Sequence, residues 1–193
     1  MITLRLFPKI LGIFINKNSE KYKDKLTKKC YLYKSKSIDE KKEWVSKVYN
    51  SNSKKLNLYN DKDFKPLLSW IDEKVIEYCQ NLEIKPKLFD KYAWFNIYKK
   101  NDFQEYHAHP DSNISAIYYL KGHENSAKTI FSDLIYDSHL DKFNITNHNE
   151  DNSGKWIMPF EEGKLLIFRS DMFHCVEQHN LKEDRISVAI NYR

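Results

Sequence analysis

Two histidines one residue apart carry the first chemical signal in this chain. His107-Ala108-His109 lies in a β-prone stretch. Residues i and i+2 of an extended strand point to the same face, so both imidazoles can meet at one point beside a sheet. His174 follows the strand-like block Gly163-Lys164-Leu165-Leu166-Ile167-Phe168 and a short turn. Two imidazoles from one strand and a third from a later one form a three-point face for a metal ion, with other coordination positions left open. Iron suits that face. Zinc competes for it, because three histidines also hold catalytic zinc.

Eleven positions beyond His174 begins Arg185-Ile186-Ser187-Val188-Ala189-Ile190-Asn191. The segment alternates, so Arg185, Ser187 and Ala189 share one face of a strand. A guanidinium fork matches a carboxylate, and the serine hydroxyl adds a donor. A surface ion pair with Glu183 or Asp184 is an equal reading of the arginine alone. Beside a metal face, a carboxylate anchor is favoured. His123, His139, His148 and His179 sit in polar stretches and read as structural or solvated, with His139 and His148 able to meet a substrate. Cys175 reads as a small buried residue rather than a nucleophile.

These groups need a frame. From residue 84 onward, Lys87–Lys99, Tyr106–Ala108, Ile114–Leu120, Lys128–Phe131, Lys155–Met158, Lys164–Phe168, Phe173–Glu177 and Arg185–Tyr192 are short, β-prone and parted by polar turns. Such a run predicts a sandwich or jelly roll. Before it, Leu4–Asn16 reads as a strand and Ser19–Tyr31 as a helix. Ser37–Tyr49 reads as a second helix, with Ser37 as N-cap and Glu40 at the capping-box spacing. Asp63–Leu82 carries the firmest helical stripe, from Phe64 through Leu67, Leu68, Ile71, Val75 and Cys79 to Leu82. The polar interval Ser132–Gly154 lacks periodicity, as a disordered or functional loop would.

Composition narrows the classes. The chain has 193 residues, 41% of them hydrophobic and 15% aromatic, enough for a real core. No apolar run reaches the ~20 residues of a membrane span. The net charge of +5 comes almost wholly from lysine, since arginine occurs only at Arg5, Arg169, Arg185 and Arg193. Nucleic-acid recognition favours arginine's bidentate fork, so a nucleic-acid partner is disfavoured. Cys30, Cys79 and Cys175 are far apart and odd in number, which implies a reducing, cytoplasmic compartment.

The ordered motifs Trp94-Phe95-Asn96, His107-Ala108-His109-Pro110, Ser115-Ala116-Ile117-Tyr118-Tyr119-Leu120, Phe131-Ser132-Asp133, Glu162-Gly163 through Phe168-Arg169-Ser170, His174 and Arg185-Ile186-Ser187 to Asn191 form a composite. Together they resemble the 2-oxoglutarate/Fe(II)-dependent oxygenases, in the branch with an H-x-H-P…Y-Y-L…H…R-I-S pattern. The resemblance runs from about residue 56 to 192. It departs at His109, where the superfamily carries a carboxylate, at Ala116 for glycine, and at Arg169 for proline.

The resemblance implies a mainly β fold with flanking α-helices, built on a double-stranded β-helix (jelly-roll) core. Residues 1–83 would pack on a catalytic core of residues 84–193 as one structural unit. It further implies Fe(II) on His107, His109 (or Asp111) and His174. The far carboxylate of 2-oxoglutarate would meet Arg185 and Ser187, with Tyr119, Tyr98 and Asn96 around it. Dioxygen is the second co-substrate. The expected reaction hydroxylates a C–H bond of an unidentified substrate, a protein or peptide side chain or a small molecule, and releases succinate and CO2. Activity is expected to fall below about pH 6, where imidazoles protonate. A three-histidine cupin-like dioxygenase that uses no 2-oxoglutarate, a zinc hydrolase and a non-catalytic jelly-roll module are the competing readings.

Overall fold

The computed structural model of the protein describes residues 2, 8–37, 45–52, 56–85, 90–133, 135–136, 140 and 142–193. Its largest apolar stripe is on α2 (Lys65–Asn81), where Leu67, Leu68, Ile71, Val75, Tyr78 and Cys79 are buried. Pro66 lies in the first turn, where a missing N–H leaves no bond unmade. α1 (Lys23–Lys36) buries Leu26, Thr27 and Cys30 after a single 3-10 turn at Ser19–Lys21. Both helices cover one face of a six-stranded antiparallel sheet.

That sheet runs in the order β1 (Leu11–Ile15), β8 (Lys164–Arg169), β5 (Ile114–Lys121), β10 (Arg185–Tyr192), β3 (Lys91–Tyr98), β2 (Tyr49–Asn50). A second, four-stranded antiparallel sheet runs β4 (Gln104–His107), β9 (His174–Val176), β6 (Thr129–Ser132), β7 (Lys155–Met158). Period-two alternation divides the residues cleanly. Ala93, Phe95, Ile97, Leu165, Ile167, Ile186, Val188 and Ile190 join the helices in one core. Their neighbours Leu166, Phe168, Ile117 and Tyr119 face the other way and pack with Phe131, Met158, Phe160 and Met172 between the sheets. The fold is a double-stranded β-helix with helices on one side.

Gly12 of β1 lies against α2: a Cβ there would meet Cδ2 of Tyr78 at 2.7 Å. The Tyr78 hydroxyl donates to the Ile10 carbonyl at 2.9 Å, which fastens the helix to the strand. Leu4 and Leu6, expected in the first strand, lie outside the described residues, as do Glu40 and Trp44 of the expected second helix.

One expectation needs correction. Ser37 closes α1, its hydroxyl donating to the Lys34 carbonyl at 2.8 Å, and positions 38–44 lie outside the described residues. Residues 45–48 are irregular and lead into β2. Tertiary bonds override the helical pattern there: the Val45 and Ser46 N–H groups donate to Glu105 Oε1, at 2.8 and 3.2 Å. Ser46 Oγ also accepts from the Phe103 N–H at 3.0 Å. The interval between β6 and β7 is pinned where Asp133 N–H donates to the Gly154 carbonyl at 2.7 Å. His139 within it lies outside the described residues. No helix among the described residues is long and apolar enough to cross a membrane.

Candidate metal and co-substrate site

Pairing of β4 with β9 sets His107 directly opposite His174. His109 follows two residues later, its backbone N–H donating to the Ser170 carbonyl at 2.8 Å. The potential ligand atoms of these three histidines all lie within 4.8 Å of one another. Their ring centroids are 4.3 Å apart for His107 and His174, 5.1 Å for His107 and His109, and 5.3 Å for His109 and His174. His107 Nδ1 is 2.8 Å from the Glu105 carbonyl and His174 Nδ1 is 2.9 Å from the Met172 carbonyl. A carbonyl only accepts, so Nδ1 carries the proton in both rings. Nε2 is then the lone-pair atom that each can offer, the arrangement typical of a metal-ligating histidine.

Burial is the main cause that lowers all three imidazole pKa values. His109 falls to about 4, with the neighbouring His107 charge adding to the effect. The rings therefore stay neutral at lower pH than exposed imidazoles, which moves the expected acid limit below pH 6. Asp111, the alternative second ligand, is exposed on a turn and stands outside the cluster.

Behind the imidazoles lies the anion site. Arg185 is fully buried. Its Nε donates to the Ala127 carbonyl at 3.0 Å, Nη1 to Ser187 Oγ at 3.4 Å and Nη2 to Thr129 Oγ1 at 3.4 Å. The rings of Tyr98, Tyr119 and Phe160 surround the guanidinium at 4.6, 5.1 and 5.4 Å. No carboxylate pairs with it among the described residues. Asp184, a candidate partner, instead accepts from the Tyr31 hydroxyl at 2.9 Å. A buried cation without a counter-ion costs several kcal/mol unless something neutralises it.

The other expected residues divide into two groups. Tyr98, Asn96 and Ser187 line the cavity between Arg185 and the histidines. Tyr98 donates to Gln104 Oε1 at 2.7 Å, and burial pushes its phenol up to about 12. Tyr119 stands behind the cavity wall, stacked on Phe160, and donates to Thr129 Oγ1 at 2.7 Å. Sequence reasoning gave Gln104, Thr129, Ala127 and Phe160 no role. No local pattern marks them, since only the tertiary fold brings them here. Trp94 could have been found: it shares the cavity face of β3 with Asn96 and Tyr98. Its ring is edge-on to His109 at 6.0 Å. Trp94 Nε1 and Asn96 Oδ1 are buried without a hydrogen-bond partner among the described residues.

The donor set fits both groups that the sequence pattern implies. Three neutral imidazoles offer three nitrogen ligands for Fe(II). The uncompensated guanidinium, with two hydroxyls beside it, offers charge-assisted bonds to the far carboxylate of 2-oxoglutarate.

Comparison with known proteins agrees. The family model described as "Putative 2OG-Fe(II) oxygenase" matches residues 92–191. No curated protein matches the chain. Among solved structures, a Pseudomonas putida prolyl-4-hydroxylase is similar, with TM-score 0.65 and 14% identity over 95% of this chain and 91% of that one. A prolyl hydroxylase from Trichoplax adhaerens, in complex with a hypoxia inducible factor peptide fragment, gives TM-score 0.60 and 12% identity over 94% and 82%. HygX from Streptomyces hygroscopicus, with nickel and 2-oxoglutarate bound, gives 0.59 and 10% over 94% and 81%. At such identities these structures show the fold. The family match covers the strands that carry the imidazoles and the arginine, and the chain belongs to the 2OG-Fe(II) oxygenases, enzymes that use Fe(II), 2-oxoglutarate and dioxygen.

Proposed function

We propose that this oxygenase hydroxylates a C–H bond of a protein or peptide side chain, with release of succinate and CO2. One observation carries the site assignment: a fully buried arginine, without a carboxylate partner among the described residues, behind three converging imidazoles. In this reading His107, His109 and His174 hold the iron. Bound iron with 2-oxoglutarate supplies activation of dioxygen, one oxygen atom going to succinate and the other to the substrate C–H bond. The protein's own groups bind and orient. Arg185 and Ser187 hold the far carboxylate, and the three surrounding rings keep water from the guanidinium, which strengthens that attraction. Tyr98 and Asn96 line the path between anchor and metal, while Tyr119 supports the anchor through Thr129.

The peptide reading draws on apolar surface beside the metal face. Trp156 is 45% exposed and pairs across the sheet with Phe131, whose ring contacts His174. Phe173, next to His174 in the chain, is 43% exposed. The Trichoplax relative binds a peptide. We also propose that residues 1–83 and 84–193 act as one unit, since α2 and the strands share a core, and that three free cysteines suit a reducing compartment.

The test is succinate release with Fe(II), 2-oxoglutarate and a panel of peptides, amino acids and small molecules. Arg185→Lys is expected to raise the Michaelis constant for 2-oxoglutarate about tenfold or more, because an ammonium cannot replace the bidentate fork. An unchanged constant removes Arg185 from the site, and product formed only from small molecules removes the peptide reading.

A further inference from the structure

His179 is fully buried, yet it neither belongs to the histidine cluster nor lines the cavity. Its hydrogen bonds assign its protons. The Ala127 N–H donates to His179 Nδ1 at 3.3 Å, so Nδ1 bears the lone pair. Nε2 carries the hydrogen and donates to the Glu183 carbonyl at 2.6 Å. The residue's own backbone is clamped as well. His179 N–H donates to the Asp102 carbonyl at 2.8 Å, and the His179 carbonyl accepts from the Asn101 N–H at 2.7 Å.

Both side-chain bonds lead to Arg185. Ala127 is held by His179 through its N–H and holds Arg185 Nε through its carbonyl, at 3.0 Å. Glu183 lies two residues before Arg185 in the chain. Thr129, two residues after Ala127, meets the guanidinium at Nη2. One imidazole thus ties the segment that supplies the carbonyl acceptor to the segment that delivers the arginine. Its Nδ1 lone pair reaches the anchor through a single residue.

We propose that His179 is a positioning residue for the co-substrate: through Ala127 it fixes the plane in which the Arg185 guanidinium presents its fork to the far carboxylate. This inference rests on the reading of Arg185 as the 2-oxoglutarate anchor. A fork turned by more than about 20° weakens its two parallel bonds, so orientation is worth affinity.

Two amides separate this role from mere core packing. In His179→Asn the side-chain oxygen can take the place of Nδ1, and the Ala127 bond survives. In His179→Gln the amide nitrogen can replace Nε2, which keeps the Glu183 bond and loses the Ala127 acceptor. Calorimetry on the anaerobic Fe(II) protein gives the dissociation constant for 2-oxoglutarate. His179→Gln is expected to weaken binding about tenfold, and His179→Asn about twofold or less. With pyruvate, a 2-oxo acid without the far carboxylate, both variants should bind like the parent. His179→Leu, which fills the volume and offers no acceptor, replaces the glutamine variant if that fails to fold.

Equal weakening in the asparagine and acceptor-less variants, or an equal deficit toward pyruvate, overturns the proposal in favour of a structural role. Unchanged 2-oxoglutarate binding in His179→Gln overturns it too. The Arg185→Lys variant tells the two failures apart. If it also binds normally, the anchor reading has failed. If it binds weakly while His179→Gln does not, only the positioning role has.

Discussion

Over its four central strands, β8, β5, β10 and β3, the six-stranded sheet buries both faces, its edge strand β1 leaving Ile13 and Ile15 half exposed, while the four-stranded sheet buries one face. On the larger sheet, Phe95, Ile97, Leu165, Ile167, Val188 and Ile190 meet the helices, and Arg185, Ser187 and Asn96 look inward from alternate positions. On the smaller, His107, His174 and Phe131 look inward, but Ile157 on the outer side is 50% exposed. Its strands are short, and β4 meets β9 at only Gln104↔Val176 and His107↔His174, with a register shift between. The proposed anchor therefore sits on the better-packed layer and the imidazoles on the thinner one. Stability and metal chemistry should respond to different substitutions.

The sharpest test of that division is a matched pair of truncations. Phe95→Ala, at a site with no exposure, should cost about 3–5 kcal/mol in urea unfolding. Ile157→Ala on the outer face should cost less than ~0.5 kcal/mol. Similar costs would erase the contrast. Next in size, His174→Ala should weaken Fe(II) binding at least ~100-fold in anaerobic titration while near-ultraviolet circular dichroism keeps its folded signature. A variant that kept its iron would break the assignment of the metal to the smaller sheet. Arg185→Met should leave the empty protein as stable as the parent, or more stable by up to ~2 kcal/mol, because it removes a buried unpaired charge. It should also lose 2-oxoglutarate binding. A large drop in melting temperature would mean that the guanidinium supports the fold rather than the ligand.

The smallest effect lies on the helical side. Lys25 and Lys29 beside Asp63 hold its carboxyl down to about 2. A depressed carboxyl contributes stability above about pH 4, and loses it as pH falls toward 2. Asp63→Asn should thus lower the melting temperature slightly at pH 5–7 and converge on the parent only as pH falls below about 2. A gap that persists there would point to a lost hydrogen bond instead of the ion pairs.

Patterns with a two-residue period were readable from the sequence. Arg185, Ser187 and Ala189 on one face, and Ile186, Val188 and Ile190 on the other, follow from alternation alone, as does the shared side of His107 and His109. β5, β7 and β10 lie close to where alternation puts them, and the stripe of α2 could be read in the same way. The Ser37–Tyr49 pattern misled at its C-terminal end, because Glu105, about sixty residues away, claims the backbone of Val45 and Ser46. The support around Arg185 was hidden for a related reason. Ala127 acts through main-chain atoms that carry no signature of residue type. Thr129 and Gln104 reach the site only because strands pair. His179 looks like His123 in the sequence, yet one is buried and bonded at both nitrogens and the other is exposed.

The family match starts at residue 92, well inside the sheet. β1 covers one edge of β8 over five paired positions, from Leu11↔Phe168 to Ile15↔Lys164, and α2 roofs the apolar rows behind it. A recombinant fragment trimmed to the matching stretch would bare a raw sheet edge and a broad oily face, a recipe for inclusion bodies. Screens for the substrate are best run with residues 8–91 still attached.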